Sequence, residues 1–156
     1  MSKIFNSPSK YIQGPDELAK LGGYVDPLGT KALVINTPSG VKRVGAKVEA
    51  GFADAKATPV YEDFNGECSE NEVNRLVEVA RANGCDVVVG IGGGKTLDTA
   101  KATAYFLGCP VVICPTIASS DAPCSALSVL YTDDGQFDRY LFLPANPNIV
   151  LMDTNV

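Results

Sequence analysis

The 156 residues contain no histidine and no tryptophan, and only two methionines. Without imidazole there is no Ser-His-Asp triad, no Cys-His pair and no histidine metal ligand. Five cysteines are present, Cys68, Cys85, Cys109, Cys114 and Cys124, and none are spaced as C-x-x-C. An odd number without metal spacing reads as reduced thiols, so zinc held by these residues alone is not expected. No apolar run approaches the roughly 20 residues that span a bilayer, so no membrane partner is expected. The N-terminal Met1 to Pro8 lacks the apolar stretch of a signal peptide. A cytoplasmic location is the expectation. Basic charge is short as well, with 13 Lys+Arg against 18 Asp+Glu and a net charge of -5. Such a chain cannot neutralise a phosphate backbone, so nucleic acid is not an expected partner.

What is present suits a folded domain: 46% of residues are hydrophobic and 20% charged. Four apolar runs read as strands, over residues 32–35, 58–61, 86–91 and 111–114. The third and fourth are almost wholly apolar and β-branched, as in strands covered on both faces. Pro59 demotes the second to a sheet edge. Between the runs, Val73, Leu76, Val77 and Ala80 recur at helical spacing over residues 69–83, with Gly84 as the stop. Ser69 with Glu72 three residues on fits a capping box. Leu97, Ala100, Ala104 and Leu107 mark a second helix over 94–107, closed by Gly108. Residues 41–55 form a weaker third. This alternation predicts a doubly wound parallel α/β sheet of the Rossmann-like kind, a single domain over 1–156. Residues 126–131 and 140–143 around Asp133-Asp134-Gly135-Gln136 read as a C-terminal β-hairpin, and 149–152 as a last strand.

The chemistry concentrates after the third run, in Gly90-Ile91-Gly92-Gly93-Gly94-Lys95-Thr96. Consecutive glycines admit a ligand close to the backbone. A helix N-terminus with Lys95 beside it then favours an anion such as a diphosphate. The alternative is a turn that is glycine-rich only for strand–helix packing. The pattern is neither a P-loop, which would need Gly where Val89 stands, nor the G-x-G-x-x-G fingerprint, which would need Gly at Lys95. The following loop, Pro115 to Ser125, leaves a second inner strand at its carboxyl end, where open α/β sheets bind ligands. Its hydroxyls suit a nucleotide and Asp121 suits a polyol, or the loop is simply a polar turn.

Read together, these segments resemble the glycerol dehydrogenases of the metal-dependent polyol dehydrogenase superfamily, specifically their N-terminal half. The resemblance is carried by residues 7–14, Phe64 to Ser69, Gly90 to Ala102, Pro115 to Asp133 and Phe137 to Pro147, and extends over essentially the whole chain. It implies NAD as cofactor and a small polyol as substrate. Gly93, Gly94, Lys95 and Asp98 match the pyrophosphate and nicotinamide side. Thr116, Ser119, Ser125, Leu127 and Tyr131 match positions lining the dinucleotide, and Asp121 the residue near the polyol hydroxyls. It also implies a catalytic zinc held by an Asp and two His in a C-terminal helical domain. No histidine occurs in these residues, so catalytic incompetence of this stretch alone is expected, as is a possible homo-oligomer. Where the family carries an Asp for the adenosine ribose, this chain has Thr37. The rival reading is a non-catalytic nucleotide-binding or assembly module. Cys68, Cys109 and Cys114 read as small packing residues and Tyr11, Tyr24 and Tyr105 as partly buried ones. Glu67 and Glu70 read as cap and surface charge, and Asp133, Asp134 and Asp138 as hairpin-turn residues.

Overall fold

Valine-rich runs do become inner strands. In the computed structural model, which describes residues 1–156, the elements are β1 (Lys10–Gly14), α1 (Leu21–Val25), β2 (Lys31–Asn36), α2 (Pro38–Phe52), β3 (Thr58–Asp63), α3 (Glu70–Asn83) and β4 (Val87–Gly92), then α4 (Gly94–Leu107), β5 (Val111–Pro115), β6 (Leu127–Tyr131), β7 (Phe137–Phe142) and β8 (Ile149–Asp153). Six strands form one parallel sheet in the order β1-β8-β5-β4-β2-β3, and β6 and β7 form a separate antiparallel hairpin. The fold is the expected doubly wound, Rossmann-like α/β domain. β3, which contains Pro59, lies at one edge, where its missing N–H costs no ladder bond.

Alternation along the inner strands splits the core between the two faces of the sheet. On one face, Val34, Val89 and Cys114 pack against Leu21 of α1 and Val44 and Val48 of α2. On the other, Leu33, Ile35, Val88 and Ile113 pack against Leu76 of α3 and Leu97 and Ala100 of α4. A third cluster, with Cys68, Val73, Ala102 and Leu130, fastens the hairpin to α3 and α4. Gly84 and Gly108 end α3 and α4 in left-handed conformation, at φ 69° and 68°.

Several local expectations need correction. α2 begins at Pro38, not residue 41, because the Thr37 hydroxyl accepts the Gly40 N–H at 2.9 Å and caps it. Ser69 does cap α3, but the capping box is not reciprocal: Glu72 turns to the Asn65 N–H at 3.0 Å and to Arg75. Tyr11 and Tyr105 are 53% and 44% exposed, since each sits on an element with no cover on that side. The first 30 residues hold a strand, a 3-10 turn (Glu17–Lys20) and a short helix that periodicity had not indicated. They are held by distant partners. Asp153, buried at the end of β8, accepts the N–H groups of Asp16 and Leu18 at 3.0 and 3.1 Å.

Candidate functional site

The strand order reverses between β2 and β4, so the crevice outside their carboxyl ends is the switch point of the sheet. The glycine turn stands there. Gly92 ends β4 at φ 151°, a conformation that side chains rarely adopt, and a Cβ would meet Thr96 Oγ1 at 2.9 Å. Gly90 is required for a different reason: a Cβ would lie 2.4 Å from that of Ala100, so β4 and α4 touch there. Gly93 and Gly94 are under no such constraint. A Cβ at Gly93 would approach nothing closer than Ile117 at 3.5 Å, and at Gly94 nothing closer than Ser120 at 3.6 Å. Neither glycine is therefore required by packing, and both stay partly exposed beside the loop that follows β5. α4 also has Gly93 as its N-cap and so no side-chain cap, unlike α2 and α3. Its first-turn N–H groups are left for another acceptor.

Lys95 follows, but it does not hang free. Its ammonium lies 2.6 Å from Glu67 Oε2 and 4.9 Å from the centre of the Tyr131 ring. Glu67 is thus tied to the glycine turn, a correction to its reading as cap and surface charge. Glu70 does sit at the surface, 3.3 Å from Arg139. Asp98, one turn further along α4, is buried between Lys101 Nζ at 3.0 Å and the Val129 N–H at 3.0 Å. Burial pushes its carboxyl above the ordinary range, against the pull of those two partners.

The second loop arrives from β5. The Thr116 N–H donates to the Gly92 carbonyl at 2.9 Å, which places the start of the loop beside the glycine turn. Ser119 and Asp121 are exposed, Thr116, Ser125, Leu127 and Tyr131 half-buried. The Asp121 carbonyl accepts the N–H groups of Cys124 and Ser125, at 2.9 and 3.1 Å, closing a tight turn. The fold therefore gathers Gly93, Gly94, Lys95, Asp98, Thr116, Ser119, Asp121, Ser125, Leu127 and Tyr131 around the N-terminal half of α4. Thr37 lies at the carboxyl end of β2, across the switch point, with its hydroxyl already engaged as a cap.

Sequence reasoning passed over Lys101. It is 2% exposed, and its ammonium donates to the Ala122 carbonyl at 2.7 Å, to Ser125 Oγ and O at 3.2 and 3.3 Å, and to the Leu127 carbonyl. The available signal was its place three residues after Asp98 in the helix that opens at the glycines. A groove of about 630 Å³ lies apart from this cluster, between α2 and β3, lined by Asn36, Val41, Glu49, Tyr61 and Asp63. Its carboxylates do not suit a phosphate. Cys68, Cys109 and Cys114 are not reactive centres: burial pushes Cys68 up to about 12 and Cys109 up to about 11, and raises Cys114 as well. No three His, Cys, Asp or Glu side chains come together as a metal site. No helix is long and apolar enough to cross a membrane.

Residues 8–154 match the family described as iron-containing alcohol dehydrogenase. A glycerol dehydrogenase of Escherichia coli O6:H1 is 53% identical over all 156 residues, which span 42% of that protein. A glycerol dehydrogenase of Pseudomonas putida is 51% identical, again over the whole chain and 43% of its own length. Among solved structures, a probable glycerol dehydrogenase from Sinorhizobium meliloti 1021 superposes with a TM-score of 0.89 at 42% identity, covering 97% of this chain and 41% of that one. The chain thus spans about two fifths of the length of these relatives, and lies in their N-terminal part. The family match over residues 8–154, with relatives 53% and 51% identical over the whole chain, shows that the chain belongs to the iron-containing alcohol dehydrogenase family.

Proposed function

We propose that these residues form the NAD-binding part of a dehydrogenase that converts glycerol to dihydroxyacetone. The observation that carries this reading is the partly exposed backbone of Gly93 and Gly94, two glycines that packing does not require, at the uncapped start of α4 and at the switch point of the sheet. A pyrophosphate fits there, held by first-turn N–H groups and by the Lys95 ammonium in exchange for, or together with, its bond to Glu67. Thr116, Ser125, Leu127 and Tyr131 would line the dinucleotide, and Thr37 would face the adenosine ribose. The chemistry such a dinucleotide supplies is acceptance of a hydride from an alcohol carbon. Asp121, exposed on the adjoining loop, would accept hydrogen bonds from the hydroxyls of a polyol and orient it.

A catalytic metal does not fit these residues by themselves. Asp121 is the carboxylate offered at the loop, there is no histidine, and zinc or iron sites with an open position normally keep three protein ligands. Names of relatives also support the polyol reading, since two of them act under the name glycerol dehydrogenase.

Calorimetric titration of the chain with NAD tests the reading. Gly94→Val should weaken binding, because a Cβ there already lies 3.6 Å from Ser120 and the γ-carbons would take the space beside the first-turn N–H groups. Lys95→Ala should lose a charge-assisted contact, at the lower end of about 1.5–3 kcal/mol because Lys95 is half exposed. Absence of NAD binding in the unmodified chain, or the same affinity in both variants, would refute it.

A further inference from the structure

We propose that Lys101 is the positioning residue of this site, seating the substrate-side loop on α4 so that Asp121, Ser125 and Leu127 stand over the glycine turn. This rests on the reading of the site as a dinucleotide and polyol site. Gly94, Asp98 and Lys101 lie at i, i+4 and i+7, on one stripe of α4. That stripe does not face the sheet, because Leu97, Ala100 and Ala104 do. It faces the loop and the hairpin. A Cβ at Gly94 would lie 3.6 Å from Ser120 and 3.8 Å from Ala122, Asp98 takes the Val129 N–H, and Lys101 takes Ala122, Ser125 and Leu127.

The chemistry is that of a tethered cation in a cage of oxygens. An ammonium has three protons. Here they are shared by the carbonyls of Ala122, Ser125 and Leu127, by Ser125 Oγ and by Asp98 Oδ1. The three carbonyls come from both ends of the segment that follows Asp121, so one charge closes the loop and joins it to β6. The Asp121 side chain has no bond of its own that would hold the loop. Without the ammonium, three carbonyls and a buried carboxylate would face one another with no cation between them, a repulsive arrangement at a buried position. The loop would then lift away from α4. Backbone ladders of the parallel sheet do not involve Lys101, so β2, β4 and β5 would remain.

The test compares Lys101→Met, Lys101→Arg and the charge-neutral pair Asp98→Asn with Lys101→Met, which keeps the fold if the single variant leaves too costly a buried carboxylate. Two readouts are taken: hydrogen exchange of peptides spanning 116–127 against those of β2 and β4, and the dissociation constant for NAD. The expected result is faster exchange of 116–127, by about tenfold or more, in Lys101→Met and in the double variant, with β2 and β4 unchanged. NAD should bind about tenfold or more weakly in the same two variants. Lys101→Arg should recover part of both, since a guanidinium keeps the charge but fits a compact cage poorly. Unchanged exchange in 116–127 would overturn the proposal, as would a loosened loop with NAD affinity within twofold of the parent. If the parent itself binds no NAD, the functional reading fails on its own, and the exchange arm still decides whether Lys101 seats the loop.

Discussion

Thr37 shows how one side chain can serve helix and ligand at once. Its hydroxyl accepts the Gly40 N–H at 2.9 Å and lies 3.1 Å from Ser39 Oγ, so little of it is left for a ribose. Asp is an equally good N-cap, and its charge would also accept from both ribose hydroxyls and repel a 2′-phosphate. Lys42 and Arg43, exposed on the first turns of α2, carry the opposite charge nearby. Thr37→Asp is therefore expected to widen the preference for NAD over NADP by about tenfold, read from paired calorimetric titrations. An unmodified chain that already discriminates as strongly as the variant would contradict this. Glu67 offers a second residue-scale test. Because it holds Lys95 at 2.6 Å, Glu67→Gln should free the ammonium and tighten NAD binding, and a weaker affinity would mean that the pair presents Lys95 rather than restraining it.

At the scale of elements, two joints decide the fold around the site. One is the contact of β4 with α4, where Gly90 allows an approach that a methyl would block at 2.4 Å from Ala100 Cβ. Gly90→Ala should cost about 1–3 kcal/mol through overpacking, measured as a lower urea midpoint with an unchanged slope. The other joint is the end of β8. Burial raises the Asp153 carboxyl, but the N–H groups of Asn155, Leu18 and Asp16 and the Lys47 ammonium outweigh it and hold it below its ordinary value. A depressed carboxylate contributes stability that is present above the unfolded pKa and lost as pH falls through the folded one. With an unfolded value of about 3.9, the loss belongs below about pH 4. Asp153→Asn should cost about 1.5–3 kcal/mol at pH 7, and the gap to the parent should narrow at pH 3. A gap that stays constant between the two pH values would show that the charge on Asp153 is immaterial.

Across the whole molecule, the binding features and the missing ligands point the same way. The residues proposed to hold the dinucleotide stand at one end of a parallel sheet, yet these 156 residues have neither histidine nor a metal-ligand group. A Lewis acid is what lowers the pKa of an alcohol in metal-dependent dehydrogenases, and no alternative base with a pKa near neutral stands at Asp121. The 156 residues alone should therefore bind NAD but not reduce it with glycerol, even with excess zinc or iron. Absorbance of the reduced cofactor is the measurement. Turnover that disappears in Asp121→Asn would place a complete active site within these residues.

The sequence by itself determined what is local and periodic. Runs of β-branched residues became inner strands, Ser69, Gly84 and Gly108 ended helices where their side chains and backbone freedom required, and Pro59 went to an edge. The glycine turn was legible for the same reason, because its conformational demands lie within a few residues. Tertiary structure alone decided the rest. β1 exists only because β8 pairs with it from the far end of the chain, and its own residues alternate too weakly to reveal it. Asp98 is singled out only through the family resemblance and Lys101 not at all, since charges at i and i+3 normally stay in water. They are buried because the hairpin and the substrate-side loop fold over that face and supply the oxygens and the N–H that two buried charges need. Glu67 met Lys95 in the same way, across 28 residues. No local pattern encodes such pairings, because their energy depends on partners that only the folded chain brings within hydrogen-bond distance.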